Sequence, residues 1–372
     1  MNKKIVYLTT VHKPSDVRIY QKQCKTLAAR GYLVTLIAPF NEADYLWSSR
    51  ESSNVAFEPL PVVTGRMSRF FLSGMRVFVA ARRLNADLYH FHDPELSIIG
   101  LLLKLLGHKV VYDVHEDLPR QILSKHWIND RLKSVLAIAV ESFEKIASRF
   151  FDGISVATAH IGERFQQYSP SVAVVNNYPI LNELANSESW SNRTSAVCYV
   201  GGISEARGMK AIIESSSMAG VSLELAGTFF TEQEASWARH SAGWKNVNFH
   251  GHVGRDEVKN IYSTVIAGLV TLQPKDNYID SMPIKMFEYM SAGVPVIASN
   301  FPLWQGIIEG EKCGLCVDPM DNSAISEAII WLQRNPEEAE KMGKNGRKAV
   351  ESTYNWESES EKLLDLYKRI IE

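Results

Sequence analysis

Cysteine is scarce. The chain has four in 372 residues, too few for the disulfide framework of a small secreted domain. Long apolar runs are missing too: no stretch approaches the roughly 18 uninterrupted apolar residues of a membrane-spanning helix. The start, "MNKKIVYLTT", passes from two lysines straight into a short strand-like run. It leaves no room for a signal peptide, so a cytoplasmic protein is expected. No short repeat and no low-complexity tract is visible. One pair, Cys313 and Cys316 in "CGLC", matches C-x-x-C by spelling. A redox pair wants its thiolate at a helix N-terminus. "CGLCVDP" instead reads as a strand leaving a turn, so core cysteines are expected.

Net charge is also nearly absent, at −2, but it is unevenly spread. Residues 1–175 carry 22 Lys and Arg against 16 Asp and Glu; residues 176–372 carry 18 against 26. A basic first half and an acidic second half suggest two modules. The length agrees, being long for one core and ordinary for two. The first half alternates short apolar runs ("KIVYLTT", "YLVTLIAP", "VAFEPLPV", "DLYHFHDPE", "KVVYDVHED") with helical stretches such as "RIYQKQCKTLAARG" and "LSIIGLLLKLLG". This βαβ rhythm predicts a mostly parallel sheet covered by helices, with ligands beyond the carboxyl ends of the strands. Near residue 172 the texture turns polar, and 175–194 reads as a linker. Alternation then restarts with "AVCYVGG", "VSLELAG", "VNFHGHV", "AGLVTLQP", "VPVIAS" and "GLCVDP". The expected fold class is α/β, with two Rossmann-like domains, 1–174 and 195–353, facing each other across a cleft. The tail, 354–372, predicts an amphipathic helix with Leu363, Leu364, Tyr367, Ile370 and Ile371 on one face.

Four groups of residues could carry chemistry. In "IDSMPIKMFEYMSAGVPVIAS", strand, loop, helix and strand follow one another, and a helix start after a strand is an anion site by geometry. Asp280 precedes that helix, Lys285 lies in its first turn, and Glu288 sits on a small apolar face with Ile284, Ser291 and Ala292. A carboxylate there would grip a ribose diol; the plainer alternative is an Asp280 cap with a Lys285–Glu288 surface pair. In "YVGGISEARGMK", Gly201 and Gly202 follow a strand, with Arg207 and Lys210 beyond. This is a phosphate cradle in principle, yet it is neither a P-loop nor G-x-G-x-x-G. "HFHD" (His90, His92, Asp93) and "DVHED" (Asp113, His115, Glu116, Asp117) end neighbouring strands. An H-x-H there permits a metal, but acceptor binding or catalysis is favoured. Finally, "GRMSRFFLSGMRVFVAARR" sets Arg66, Arg69, Arg76, Arg82 and Arg83 among apolar residues. It suits either an anionic membrane surface or a solvated helix with its apolar face in the core.

Together these motifs resemble the retaining glycosyltransferases of family 4, which have the GT-B fold. The match runs over nearly the whole chain and is most specific at "SMPIKMFEYMSAGVPVIASNFP". The resemblance implies that the C-terminal helix crosses back onto the first domain. The family's two glutamates, seven residues apart, would read here as Asp280 and Glu288. Glu288 would hold the ribose and Asp280 would face the donor sugar. The diphosphate would lie on Gly202, Arg207, Lys285 and Ile284, where Gly202 replaces the family's usual arginine. His115 matches the histidine near the reacting carbon, and His12, Asp16, Arg18, His92 and Asp93 would form the acceptor side.

The resemblance thus implies a metal-independent transferase of hexosyltransferase type, and no D-x-D motif is present. A UDP- or GDP-sugar would donate to a hydroxyl of a glycan or polyprenyl-linked acceptor, in bacterial cell-surface polysaccharide synthesis. No cofactor, metal or nucleic acid is expected. The enzyme would be cytoplasmic, with peripheral contact at the inner membrane face through its basic half. Two alternatives stay open: a nucleotide-sugar 2-epimerase, and a non-catalytic partner subunit.

Overall fold

A computed structural model describes residues 3–123, 128–185 and 190–371. The side chain of Arg66 and residues 186–189, within the expected linker, lie outside the described residues. The chain divides into two compact units: Met1–Asn177 with Glu357–Glu372, and Tyr178–Trp356.

The first unit is built on seven strands: β1 (Lys4–Leu8), β2 (Leu33–Phe40), β3 (Val55–Pro61), β4 (Leu88–Phe91), β5 (Lys109–Val114), β6 (Gly153–Val156) and β7 (Val172–Val174). Their order is β3-β2-β1-β4-β5-β6-β7, and every pairing is parallel. Helices cover both faces, so the strands read as near-continuous apolar runs and not as alternation. Residues 5–8 and 88–91 are all buried. The order reverses between β1 and β4, which places a crevice beyond their carboxyl ends.

The last helix, Trp356–Ile371, belongs to this unit from Glu357 onward, as the resemblance implies. Its buried face holds Leu363, Leu364, Leu366 and Tyr367. The hydroxyls of Tyr7 and Tyr367 hydrogen-bond at 2.8 Å, and Tyr367 also meets His90 Nδ1. Leu366 and Ile370 lie so close to Gly153 that a Cβ there would stand 2.6 Å from Ile370.

The second unit has six parallel strands: β8 (Ala196–Val200), β9 (Ser222–Ala226), β10 (Val247–Gly251), β11 (Ala267–Val270), β12 (Val296–Ser299) and β13 (Gly314–Val317). The order β10-β9-β8-β11-β12-β13 reverses at β8 and β11. Two apolar layers fill its faces: one around Tyr262, Phe287, Tyr289 and Trp304, the other around Tyr199, Ile212, Leu225 and Ile329.

Three local features depart from the sequence reading. The first helix begins as π turns over Val17–Cys24 before becoming α over Lys25–Ala29, with the Asp16 side chain capping Ile19 N–H. The loop "KDNYIDSM" contains a one-turn helix, Asp276–Ile279, because Lys275 C=O accepts from both Tyr278 and Ile279. Strand β6 gives no sequence signal: it has four residues, all buried, and a glycine at its start.

Candidate active site

In the first unit, side chains from the Val17–Cys24 turns, the end of β4 and the end of β5 converge on Asp113. This carboxylate is fully buried on β5. Arg18 grips it with two prongs: Nε to Oδ2 at 3.1 Å and Nη2 to Oδ1 at 2.8 Å. Gln23 donates to Oδ2 at 2.8 Å. His92 Nδ1 and His115 Nε2 lie 3.1 and 2.8 Å from the same oxygen, and 2.9 Å from each other. Burial alone would push the Asp113 carboxyl up. The Arg18 charge and the two histidine contacts more than reverse this and hold it well below the usual carboxylate range. Burial takes the His92 imidazole down to about 4, so it is neutral near pH 7.

Asp93 does a different job. It is buried at the end of β4 and accepts from Thr10 N–H at 2.6 Å and Thr9 Oγ1 at 2.9 Å, which pins the loop after β1. That loop carries His12, whose ring nitrogens lie 3.3 Å from Asp16 and 3.6 Å from Asp93. Burial would lower the His12 imidazole, but the hydrogen bond to Asp16 and the Asp93 charge raise it. Burial would raise the Asp16 carboxyl, but the hydrogen bond from His12, the Ile19 N–H and the His12 charge outweigh it and bring it down to about 2. The rings of His12 and His115 stand 5.5 Å apart. The six residues to which the resemblance gives a role in this half, His12, Asp16, Arg18, His92, Asp93 and His115, therefore share one cluster. Asp113, its hub, receives no role of its own from the resemblance. The usable signal was its spacing: Asp113 and His115 are two apart at a strand end, hence on one face.

His90, His92 and Asp113 are close enough to hold a metal, with ligand atoms within 4.8 Å of one another. The donor set does not favour a cation. Both Asp113 oxygens are engaged by the Arg18 guanidinium.

In the second unit, the turn Gly201–Gly202 follows β8, and a cation lies on each glycine. Arg207 Nη1 donates to Gly202 C=O at 3.3 Å, and its guanidinium lies 4.9 Å over the Phe230 ring. A Cβ at Gly202 would stand 2.5 Å from Phe230 and 2.7 Å from Arg207 Nη1. The guanidinium of Arg207 thus lies in space that a side chain at 202 would share. Lys285 sits 3.3 Å from where a Cβ on Gly201 would be, with its ammonium 4.9 Å over the Tyr199 ring. Burial and the neighbouring Arg207 charge bring Lys285 down to about 7, against an upward pull from Glu288. Gly208 holds the turn to β11: at φ +82 its Cβ would meet Thr271 C=O at 2.1 Å.

Ile284 and Lys285 open the Ile284–Ser291 helix, whose cap position is Pro283, without any side-chain cap. So Asp280 does not cap that helix. It is exposed, at the end of the Asp276–Ile279 turn, and no partner holds its carboxylate among the described residues. Nor is Glu288 paired with Lys285 on the surface. It is buried, and accepts from Arg255 Nη1 at 2.7 Å and from the Tyr262 hydroxyl at 3.4 Å. Sequence reading missed Arg255, Glu183, Tyr262 and Phe230. Arg255 carried one signal, a cation at a helix start, where the dipole disfavours it.

Two family models cover most of the chain. Residues 17–177 match the glycosyl transferase 4-like domain, and residues 182–349 match the glycosyl transferases group 1. The chain belongs to the group 1 glycosyltransferases. D-rhamnosyltransferase WbpZ of Pseudomonas aeruginosa is 23% identical to it over 291 residues, 73% of this chain and 71% of that one. Sucrose-phosphate synthase of Thermosynechococcus elongatus superposes at a TM-score of 0.76 with 18% identity, over 99% of both chains. Anabaena HepE in complex with UDP-glucose gives 0.72 with 15% identity, over 99% of this chain and 100% of that one. These likenesses establish the GT-B fold of this glycosyltransferase. Four other curated relatives are spanned over only 22% to 32% of their own length.

Proposed function

We propose that this glycosyltransferase moves a sugar from a nucleotide diphosphate sugar, UDP- or GDP-linked, to a hydroxyl acceptor, with retention at the anomeric carbon as in family 4. One observation carries the reading. Arg207 and Lys285 flank a bare glycine turn at the strand-order reversal of the second sheet. The start of the Ile284–Ser291 helix and the buried Glu288 belong to the same unit.

The chemistry follows from that placement. A leaving nucleoside diphosphate develops negative charge, which preorganised cations and N–H groups stabilise without reorganising. Arg207, Lys285 and the backbone at Gly202 and Ile284 supply them, so the reaction is read as independent of a metal. Glu288 would accept from the ribose hydroxyls. Asp280, with a free carboxylate, would meet the donor sugar. His115, held by Asp113, would orient the reacting groups. His12, Asp16, Arg18, His92 and Asp93 would form the acceptor side. Attack on the leaving-group face, with a phosphate oxygen taking the proton, preserves the anomeric configuration and needs no protein nucleophile.

The proposed acceptor is a glycan or a polyprenyl-linked intermediate of bacterial cell-surface polysaccharide, met at the inner face of the membrane. The Gly74–Leu84 helix and the turns before it support this contact. Met67, Phe71, Leu72, Met75 and Val79 are exposed beside Arg76, Arg82 and Arg83, and residues 65–84 contain no acid. No described helix is long and apolar enough to cross a membrane.

Glu288→Ala, assayed for nucleoside diphosphate release with a panel of nucleotide sugars and acceptors, is expected to abolish transfer while the protein stays folded. Transfer near the wild-type rate would remove Glu288 from the site. Conversion of the donor alone into its epimeric nucleotide sugar, without acceptor, would favour the epimerase reading.

A further inference from the structure

Arg255 stands where a cation is least expected. It is the first residue of the Arg255–Thr264 helix, where free N–H groups and the dipole already present positive charge. Two carboxylates keep it there. Glu183 takes Nε and Nη2, each at 2.8 Å, and Glu288 takes Nη1 at 2.7 Å. The guanidinium is planar and its fork is rigid. With Glu183 fixing one edge of that plane, the direction of the remaining nitrogen, and so of the Glu288 carboxylate, is fixed as well.

Glu288 is 6% exposed, on an otherwise apolar helix face. A lone carboxylate there would be costly to ionise. Arg255 offsets that cost and uses only part of the acceptor capacity. An ionised carboxylate offers about four lone-pair sites, and Arg255 and the Tyr262 hydroxyl occupy two of them. Two remain, the number that a vicinal diol can fill. Arg255 is therefore an orienting partner for Glu288 and not a substitute for a ligand.

We infer that Arg255, anchored by Glu183, is a positioning residue that sets Glu288 to receive the paired hydroxyls of the donor's ribose. This rests on the donor-site reading above. The test compares UDP and GDP with their 2′,3′-dideoxy forms, by calorimetric titration of the full-length wild type, Arg255→Ala and Glu183→Gln. The wild type is expected to prefer the ribose form of whichever nucleotide it binds. In Arg255→Ala, affinity for that form should fall roughly tenfold while affinity for the dideoxy form moves by less than about twofold, so the preference disappears. Glu183→Gln keeps both Arg255 and Glu288 and should give an intermediate preference; it decides the matter if Arg255→Ala does not fold. A merely structural role would lower both affinities together, and that result overturns the inference. So does an unchanged preference in both variants, which leaves the ribose reading of Glu288 standing. A wild type that shows no preference, or binds neither nucleotide, removes the ribose reading and this inference with it.

Discussion

Lys285 is the residue whose titration bears most directly on function. Burial and Arg207 bring its ammonium down to about 7, against about 10.4 in an unfolded chain. Between those values the unfolded chain binds the extra proton, so unliganded stability should rise with pH across that window. Donor binding reverses the sense, because a diphosphate stabilises the charged amine. Affinity for a nucleotide sugar should therefore be flat below about pH 7 and fall as pH rises toward about 8.5. Lys285→Arg, charged throughout, should flatten that profile. Calorimetric titration across the range checks both; a wild-type affinity independent of pH would take Lys285 off the diphosphate. The neighbouring Gly202 shows how local the logic is. It looks like a lost cation against the family's arginine, but the space a side chain would need is filled by Phe230 and Arg207 Nη1.

At the scale of elements, Asp113 ties together three pieces of the first unit: the Val17–Cys24 turns through Arg18 and Gln23, β4 through His92, and the end of its own strand through His115. Asp113→Asn would leave the buried Arg18 without its counter-charge. Removing one partner of such a pair costs about 3–5 kcal/mol, and urea unfolding of the variant should show a loss of that order. A loss under about 1 kcal/mol would mean that the pair contributes little more than a surface ion pair does. The sign with pH follows from the depressed carboxyl. Its contribution is present above the unfolded value of about 3.9 and is lost as pH falls through the lower folded one. Most elements were legible in the sequence because parallel strands buried on both faces read as apolar runs, as "KIVYL" and "VIAS" do. Strand β6 was not, since four residues beginning with glycine give no period to read. The π turns at Val17–Cys24 were not either, since nothing in their composition separates them from α turns.

At the scale of the whole chain, two parallel sheets, each with one reversal of strand order, explain why the nominated residues fall into two clusters. His92, Asp93, His115 and Gly202 follow strands as the sequence reading expects, because βαβ rhythm fixes where carboxyl ends lie. It could not supply the partners, because those come from distant positions: Asp113 finds Arg18 from 95 residues away, and Glu288 finds Arg255 from 33. The central claim is that the second unit holds a nucleotide diphosphate sugar between Arg207 and Lys285. Thermal unfolding in the presence of a panel of UDP- and GDP-sugars tests it most directly. At a ligand concentration of about 100 times Kd, the wild-type midpoint should rise by roughly 2–4 °C, and Arg207→Ala/Lys285→Ala should show no rise. No shift with any nucleotide sugar, or an undiminished shift in the double variant, would contradict the account.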